Sequence, residues 1–178
     1  MKVKASLEQG ICILMLLAIQ EQAVPLQSTL ISQRLELSDS YTKKIVQRLA
    51  KAGLVRSVSG KAGGVVLNRE PDQISMLDVF DAIEGTEPFG MTSGLADHVF
   101  RISDDPSFEA VYHIGKLDTS RPLGDVKDKA LAVFDRAEQQ FRHELANFYL
   151  ESLCPHRDGK RITIDWTPWL TLKANEEN

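Results

Sequence analysis

Residues 53–67 read "GLVRSVSGKAGGVVL". Two short runs rich in β-branched residues, 54–58 and 65–67, flank a polar insert with three glycines, a pattern typical of a β-hairpin. Glycines let a hairpin tip turn tightly and lie flat on another backbone, and Lys61 adds a positive charge there. A plain turn remains the alternative interpretation of the glycines taken alone.

The residues before this hairpin predict a helix over 38–52, "SDSYTKKIVQRLAKA". Ser38 stands at the N-cap position, and Tyr41, Ile45 and Leu49 recur every four residues as an expected inner stripe. Gly53 follows the last turn, where a Schellman motif places glycine and closes the next residue onto the helix. The hairpin is therefore expected to follow the helix directly.

Further helices are expected on both sides of this unit. A Ser6/Gln9 capping box predicts a buried helix over about 7–22, and Ser28 is expected to cap a short helix that continues to residue 35. After the hairpin, "ISMLDVFDAIEG" at 74–85 contains a second capping box, Ser75/Asp78, and ends at Gly85. The order is helix, helix, helix, hairpin, helix.

A long helix is predicted near the carboxyl end, because apolar residues step by three and four from Ala130 to Ser152. A helix of this length cannot bury its stripe on a small domain, so pairing with a second copy is the favoured interpretation. The predicted dimer residues are Phe134, Ala137, Phe141, Leu145 and Phe148.

The sequence thus predicts a mainly α fold with a small β-wing, made of a winged helix-turn-helix domain and a long C-terminal dimerisation helix. The expected divisions are the DNA-binding domain 1–85, an irregular linker or sensor loop 86–125, the dimerisation helix 126–153 and a tail 154–178.

Charge is distributed unevenly along the 178 residues, whose formal net charge is −4. Residues 1–70 hold ten Lys and Arg against five Asp and Glu, whereas residues 71–178 carry a formal charge of −9. A basic front with an acidic back suits a protein that lays one face on a polyanion.

A winged helix-turn-helix accounts for this front. Its second helix enters a duplex major groove while the wing reaches the neighbouring backbone. Hydroxyl and amide groups at the start of that helix read base edges, and lysines behind them neutralise phosphates. The predicted DNA-contacting residues are Ser28, Ser38, Ser40, Tyr41, Lys43, Lys44, Gln47, Ser59, Gly60, Lys61, Gly63 and Gly64.

At this level of detail the chain resembles the bacterial Rrf-type regulators, the winged-helix transcription factors that include the iron–sulfur cluster regulator and the cysteine-metabolism repressor. "KAGLVRS" at 51–57, "GKAGG" at 60–64 and "ISMLDVFDAIEG" at 74–85 carry the resemblance. It implies a homodimer that binds a near-palindromic operator on double-stranded DNA and represses transcription.

The chain departs from that family at several positions. Many relatives carry three cluster-ligating cysteines after the "AIEG" helix, but residues 86–124 contain none, so neither an iron–sulfur cluster nor another cofactor is expected. Ser59 and Val65 stand where the wing commonly has Arg and Tyr, and Glu36 stands where the turn usually has Gly.

Other functional patterns are weak. Cys154 and His156 are too few ligands to predict a metal site unless His143 or a second copy of the chain contributes. Cys154 near Arg157 and Lys160 leaves a redox role open beside an inert one. His98 and His113, among aromatic residues, suggest either an effector pocket or a cover for the long helix.

No nucleophile and base spacing or phosphate loop predicts an enzyme. Glu8 and Gln9 precede the first apolar run and no cleavage site follows it, which favours a cytoplasmic protein without membrane contact over a signal peptide. The main prediction is a cytoplasmic, dimeric transcriptional regulator. A winged-helix protein-interaction module that no longer reads DNA is the alternative.

Overall fold

A computed structural model describes residues 4–21, 24–60, 63–88, 124–166 and 168; within 124–130 only the side chain of Lys129 is described. The chain divides into two compact units, the first formed by residues 1–86 with 143–178 and the second by residues 87–142. The predicted aromatic loop with His98 and His113, the wing-tip Lys61 and the far end of the tail lie outside the described residues.

The first unit is built on three mutually packed helices. Helix α1 (Ala5–Ala18) packs against α3 (Asp39–Lys51) and α4 (Met76–Glu84), and α2 (Ser28–Arg34) packs against α3. Their core is mainly apolar, with side chains at 0% exposure in each long helix, such as Leu14, Leu49 and Val79. This burial supplies the main driving force for folding the unit.

Two antiparallel strands form the wing. β1 (Val55–Val58) pairs with β2 (Gly64–Leu67) in a register that sets Val55 opposite Leu67 and Val58 opposite Gly64. The segment before α2 joins this sheet through a single residue, Leu26, which exchanges both backbone hydrogen bonds with Val65, at 3.0 and 2.8 Å. The wing base is therefore fixed to the helix-turn-helix.

The helix ends follow the sequence in some places and not in others. The Ser75/Asp78 capping box of α4 is confirmed, with hydrogen bonds in both directions. The Ser6/Gln9 box is wrong, because α1 begins after Lys4 with no side-chain cap and Ser6 is buried inside the first turn. Likewise, Gln27 rather than Ser28 is the N-cap residue of α2.

The carboxyl-terminal part of the chain differs most from expectation. Helix α5 (Gly124–Ala146) ends seven residues before the predicted limit. The chain then extends along the start of α4, where Met76 N–H donates to Phe148 O at 2.7 Å and Leu150 N–H donates to Ile74 O at 2.8 Å. Leu150, at 0% exposure, begins a 3₁₀ turn (Leu150–Leu153) inside the core.

The described part of the predicted irregular tail contains secondary structure and belongs to the first unit. Strands β3 (His156–Arg157) and β4 (Lys160–Arg161) form a small hairpin, and Ile164 bridges to Gln20 just after α1. Trp166 packs against the core, with the guanidinium of Arg34 5.4 Å from its ring. The first compact unit thus contains residues 143–178 together with residues 1–86, and the predicted domain divisions stay predictions.

Candidate nucleic-acid interface

Two backbone turns fix the ends of α3. At its carboxyl end Gly53, at φ 71°, and Leu54 donate to Ala50 O and Leu49 O, both at 3.0 Å, which is the predicted Schellman motif. The same motif closes α2, because Leu37 N–H donates to Ser32 O at 2.9 Å. There the left-handed position is occupied by Glu36, at φ 55°.

The burial pattern of α3 defines its free face. Thr42, Ile45, Val46 and Leu49 are buried, so the expected place of Tyr41 in the inner stripe is wrong. Tyr41 is 37% exposed, and the small Thr42 takes the inward position against the core. The remaining exposed side chains of the predicted surface on this helix and its cap are Ser38, Ser40, Lys43, Lys44 and Gln47.

The first turn of α3 leaves both serine hydroxyls at the surface. Ser38 is the N-cap residue, but its side chain makes no capping hydrogen bond, and its Oγ lies 3.5 Å from that of Ser40. Exposed hydroxyls at a helix N-terminus favour contact with an anion. Ser28, half-buried in the first turn of α2, is less accessible.

Several basic side chains of the front are already engaged within the chain. Lys4 pairs with Glu84, Lys43 Nζ lies 2.6 Å from Asp39 Oδ2, and Arg48 Nη1 donates to Ile83 O at 3.1 Å. Arg48 thus links α3 to α4, a structural role that the count of charges in residues 1–70 did not reveal. The Lys43–Asp39 pair was readable from its i, i+4 spacing.

Other cations of the front remain available. Within the part of the chain that the structure describes, Lys44, Lys51 and Arg56 have no hydrogen-bond or ion-pair partner. Lys44 and Lys51 extend from α3, and Arg56 extends from the first wing strand. An exposed cation without an internal partner is free to neutralise a phosphate.

The wing glycines have distinct structural roles. Gly60, at φ 114°, has open space around it, whereas a Cβ on Gly63 would lie 2.4 Å from Val58 O. A Cβ on Gly64 would lie 2.5 Å from the backbone of Leu26, so this glycine allows the wing base to approach the segment before α2. Ser59 is exposed beside Gly60.

The predicted dimer residues fall in different environments. Phe134 is 50% exposed and Ala137 is exposed, while Phe141 is half-buried. Leu145 instead packs against the core of its own chain. Phe148 lies beyond the end of α5, so its predicted place on the helical stripe is wrong, although it is 44% exposed.

The two cysteines are unsuited to thiolate chemistry. Burial, and secondarily Glu8, raises the pKa of the Cys12 thiol. Burial and then Glu151 raise the pKa of Cys154, and the opposing influence of Arg161 is smaller. These influences favour the inert interpretation of Cys154 over that of a thiol activated by nearby cations, since thiolate reactivity needs a lowered pKa.

His156 has partners within its own segment. Its ring nitrogens lie 2.8 Å from Cys154 O and 2.9 Å from Glu151 Oε1. Among the residues that the structure describes, no group of three His, Cys, Asp or Glu side chains is arranged to hold a metal ion. None of the described helices combines the length and apolar character needed to cross a membrane.

Comparison with known proteins identifies the family. Residues 3–156 match the Rrf2 family, described as iron-dependent transcriptional regulators, and the chain belongs to it. YwgB of Bacillus subtilis (strain 168) is 39% identical over 100 residues, which are 56% of this chain and 64% of YwgB. The HTH-type transcriptional regulator CymR of the same strain is 36% identical over 85 residues, 48% of this chain and 62% of CymR.

The chain therefore covers less than two thirds of the length of these relatives. Solved structures share the fold. The structure of CymR, the global cysteine regulator of B. subtilis, has a TM-score of 0.54 at 24% identity, covering 86% of this chain and 95% of that one. IscR of T. potens has a TM-score of 0.53 at 22% identity, covering 86% and 85%. The predicted winged helix-turn-helix class and its family are thus confirmed.

The family description implies iron, but the cysteines of this chain do not fit an iron–sulfur cluster. Cluster ligation requires several thiolates at one point, and the sequence holds only two cysteines. Both thiols have raised pKa values, and Cys154 is buried with its Sγ 3.6 Å from Leu150 O. No step of the proposed function passes through iron.

Proposed function

We propose that this protein is a cytoplasmic transcriptional regulator that binds an operator on double-stranded DNA as a homodimer and represses transcription from it. The carrying observation is the exposed face of α3, where Ser38, Ser40, Tyr41 and Gln47 stand beside Lys44, a cation with no partner in the part of the chain that the structure describes.

Polar side chains and charges have separate roles on this surface. Ser40, Tyr41 and Gln47 have the hydroxyl and amide groups that read base edges. Lys44 and Lys51 supply the sequence-independent attraction to phosphates. Lys43 supplies it too, once its ion pair with Asp39 is replaced by one with a phosphate of the duplex. The wing, fixed at Leu26 and Val65, contacts the backbone beside the groove.

A dimer follows from the apolar surface of α5. Val133 and Phe134 are 54% and 50% exposed, and a second copy of the helix would remove both from water. Two recognition helices related by a twofold axis would match the two half-sites of a palindrome, as helix-turn-helix dimers do. Repression is the simplest consequence of a dimer that occupies a promoter.

A salt series on DNA from its own upstream region tests the proposal. Neutralised phosphates make log affinity fall linearly with log salt, by about 0.9 per phosphate. Lys44→Gln is expected to weaken binding roughly tenfold, because a charged hydrogen bond is lost, and to reduce the slope by about one. The matched control Arg136→Gln, on α5, leaves both unchanged.

Ser40→Ala separates sequence reading from charge. It is expected to reduce the difference in affinity between the upstream fragment and a random duplex while preserving the salt slope. An equal loss on both duplexes would contradict the assignment of Ser40 to base reading. Salt-independent or absent duplex binding, with capture of a protein partner, would instead favour the protein-interaction module.

A further inference from the structure

A pocket of about 410 Å³ lies in the first unit beside the wing. It is lined by the end of α1, by the two wing strands, by residues 68–71 and Gln73 after them, and by Arg161 of β4. This volume is within the range of pockets that hold small molecules. It is separate from the exposed face of α3, none of whose residues line it.

The lining carries positive charge. Among the described residues that line the pocket, Arg56, Arg69 and Arg161 stand with one carboxylate, that of Glu70. Leu17, Ala18, Val66 and Leu67 supply apolar surface at the same site. Guanidinium groups converging on one space match the planar oxygens of carboxylates and phosphates.

Two of the three arginines are held in place by hydrogen bonds and ion pairs within the chain. Arg161 donates to both carboxylate oxygens of Glu151 and, through Nη1, to Ala18 O at 3.4 Å. Arg69 Nη1 lies 3.4 Å from Gln73 O and 3.7 Å from Asp78 Oδ2. Each guanidinium has five N–H donors, so both retain donors for a ligand.

The third arginine is Arg56. It has no hydrogen-bond or ion-pair partner among the described residues, so within that part of the chain all of its donors remain available. We propose that this pocket binds a small organic anion, with Arg56, Arg69 and Arg161 holding its carboxylate or phosphate groups and the apolar lining holding its carbon skeleton. A concave site with apolar surface suits such a molecule better than the convex backbone of a duplex.

The position of the pocket beside the wing would allow a bound anion to change DNA binding. Arg56 and Val66 face each other across the two wing strands, and both line the site with the end of α1. A bound anion would therefore tie the wing to the body of the unit. This consequence rests on the proposed DNA binding, whereas occupancy of the pocket does not.

Calorimetry on the full chain without DNA tests occupancy. The probes are citrate, 3-phosphoglycerate and phenyl phosphate, each compared with sodium chloride at equal ionic strength. At least one is expected to bind saturably and to raise the melting temperature. Arg56→Gln is expected to raise its dissociation constant at least tenfold and Glu70→Gln to lower it, while the control Arg136→Gln leaves it unchanged.

Two results would overturn the site: no probe exceeding the salt control, or equal affinity in wild type and Arg56→Gln when Glu70→Gln is also without effect. If no probe binds while Arg56→Gln weakens duplex binding, Arg56 serves the DNA backbone instead. Regulation is measured separately, as at least a threefold change in duplex affinity caused by the anion in wild type but not in Arg56→Gln. Failure of DNA binding itself leaves the calorimetric result intact.

Discussion

Glu36 lies in the turn between the two helices of the helix-turn-helix. It adopts φ 55° at the site where the Schellman motif favours glycine. A side chain in this left-handed region costs about 1–2 kcal/mol, which glycine avoids. Glycine loses part of this advantage, because it also gives the unfolded chain more conformational freedom. We predict that Glu36→Gly raises the unfolding free energy by about 0.5–1 kcal/mol, measured by urea denaturation.

The control Glu36→Gln retains the strain and removes only the charge. Its stability is expected to equal that of wild type, whereas both variants are expected to bind a duplex more tightly at low salt, since a carboxylate near α3 is lost. A gain in stability with glutamine as large as with glycine would show that charge, not backbone strain, is responsible.

Gly64 permits the contact between the wing and the segment before α2. A methyl group there would meet the Leu26 backbone at 2.5 Å, which the structure can relieve only by moving two hydrogen-bonded strands apart. Gly64→Ala is expected to lose about 2–3 kcal/mol of stability and to speed hydrogen exchange at the Leu26 and Val65 amides.

Gly60→Ala provides the comparison, because nothing lies within 4 Å of its added methyl group and only the positive φ is unfavourable. It is expected to lose about 1 kcal/mol with the exchange of those two amides unchanged. Faster exchange in both variants would mean that the whole hairpin, and not the close approach at Gly64, sets the protection.

Some residue-level features follow from sequence because they depend on nearest neighbours. The Ser75/Asp78 capping box and the Gly53 turn are local patterns, and both form. Tyr41 illustrates the limit: a four-residue spacing places it on the same side as Ile45, but the helix packs with Thr42 buried in the core and Tyr41 at the surface. The availability of a charge, such as that of Arg48 beside Ile83, depends on tertiary contacts.

Among the elements, the segment after α5 shows why periodicity misplaces a helix end. Leu145 and Phe148 keep a three-residue step, which predicts that the helix continues. Asn147 ends it, because its side chain donates to His143 O at 2.8 Å. The following backbone groups find partners on Ile74 and Met76, contacts that span some 70 positions and leave no local signature.

The same segment completes the core of the first unit. Leu150 is fully buried, whereas Leu153, three residues later, is 38% exposed. We predict that Leu150→Ala lowers the unfolding free energy by about 2–5 kcal/mol, as expected for truncating a core leucine. Leu153→Ala is expected to lose much less, and urea unfolding of both variants makes the comparison. Similar losses would argue against a core role for this turn.

At the scale of the whole molecule, the uneven charge along the chain and the apolar surface of α5 both bear on the proposed dimer on DNA. The basic residues 1–70 include the helix proposed to read DNA, and the acidic residues 71–178 include the helix proposed to pair two copies. Fold class and family were predictable because they depend on motifs within 85 residues. The dimer and the pocket at Arg56 were harder to predict, since they depend on surfaces that assemble only after folding.

The dimer prediction is tested at Phe134, a 50% exposed aromatic on α5. A chain of 19.9 kDa is expected to behave as a dimer of about twice that mass in light scattering. Phe134→Asp buries an unpaired charge in the proposed interface, which costs several kcal/mol and should yield monomers. Because Phe134 is exposed and its replacement leaves the core untouched, the thermal unfolding of the variant at low protein concentration should be unchanged.

Gln139→Asp is the matched control, since it adds the same charge at an exposed position five residues along α5, on a different side of the helix. It is expected to remain dimeric. On DNA, Phe134→Asp should retain weak, salt-dependent binding to a single half-site but lose the extra affinity for two half-sites in twofold register, because linked sites gain through effective concentration. Dimers that persist in Phe134→Asp would place the contact between copies on another surface.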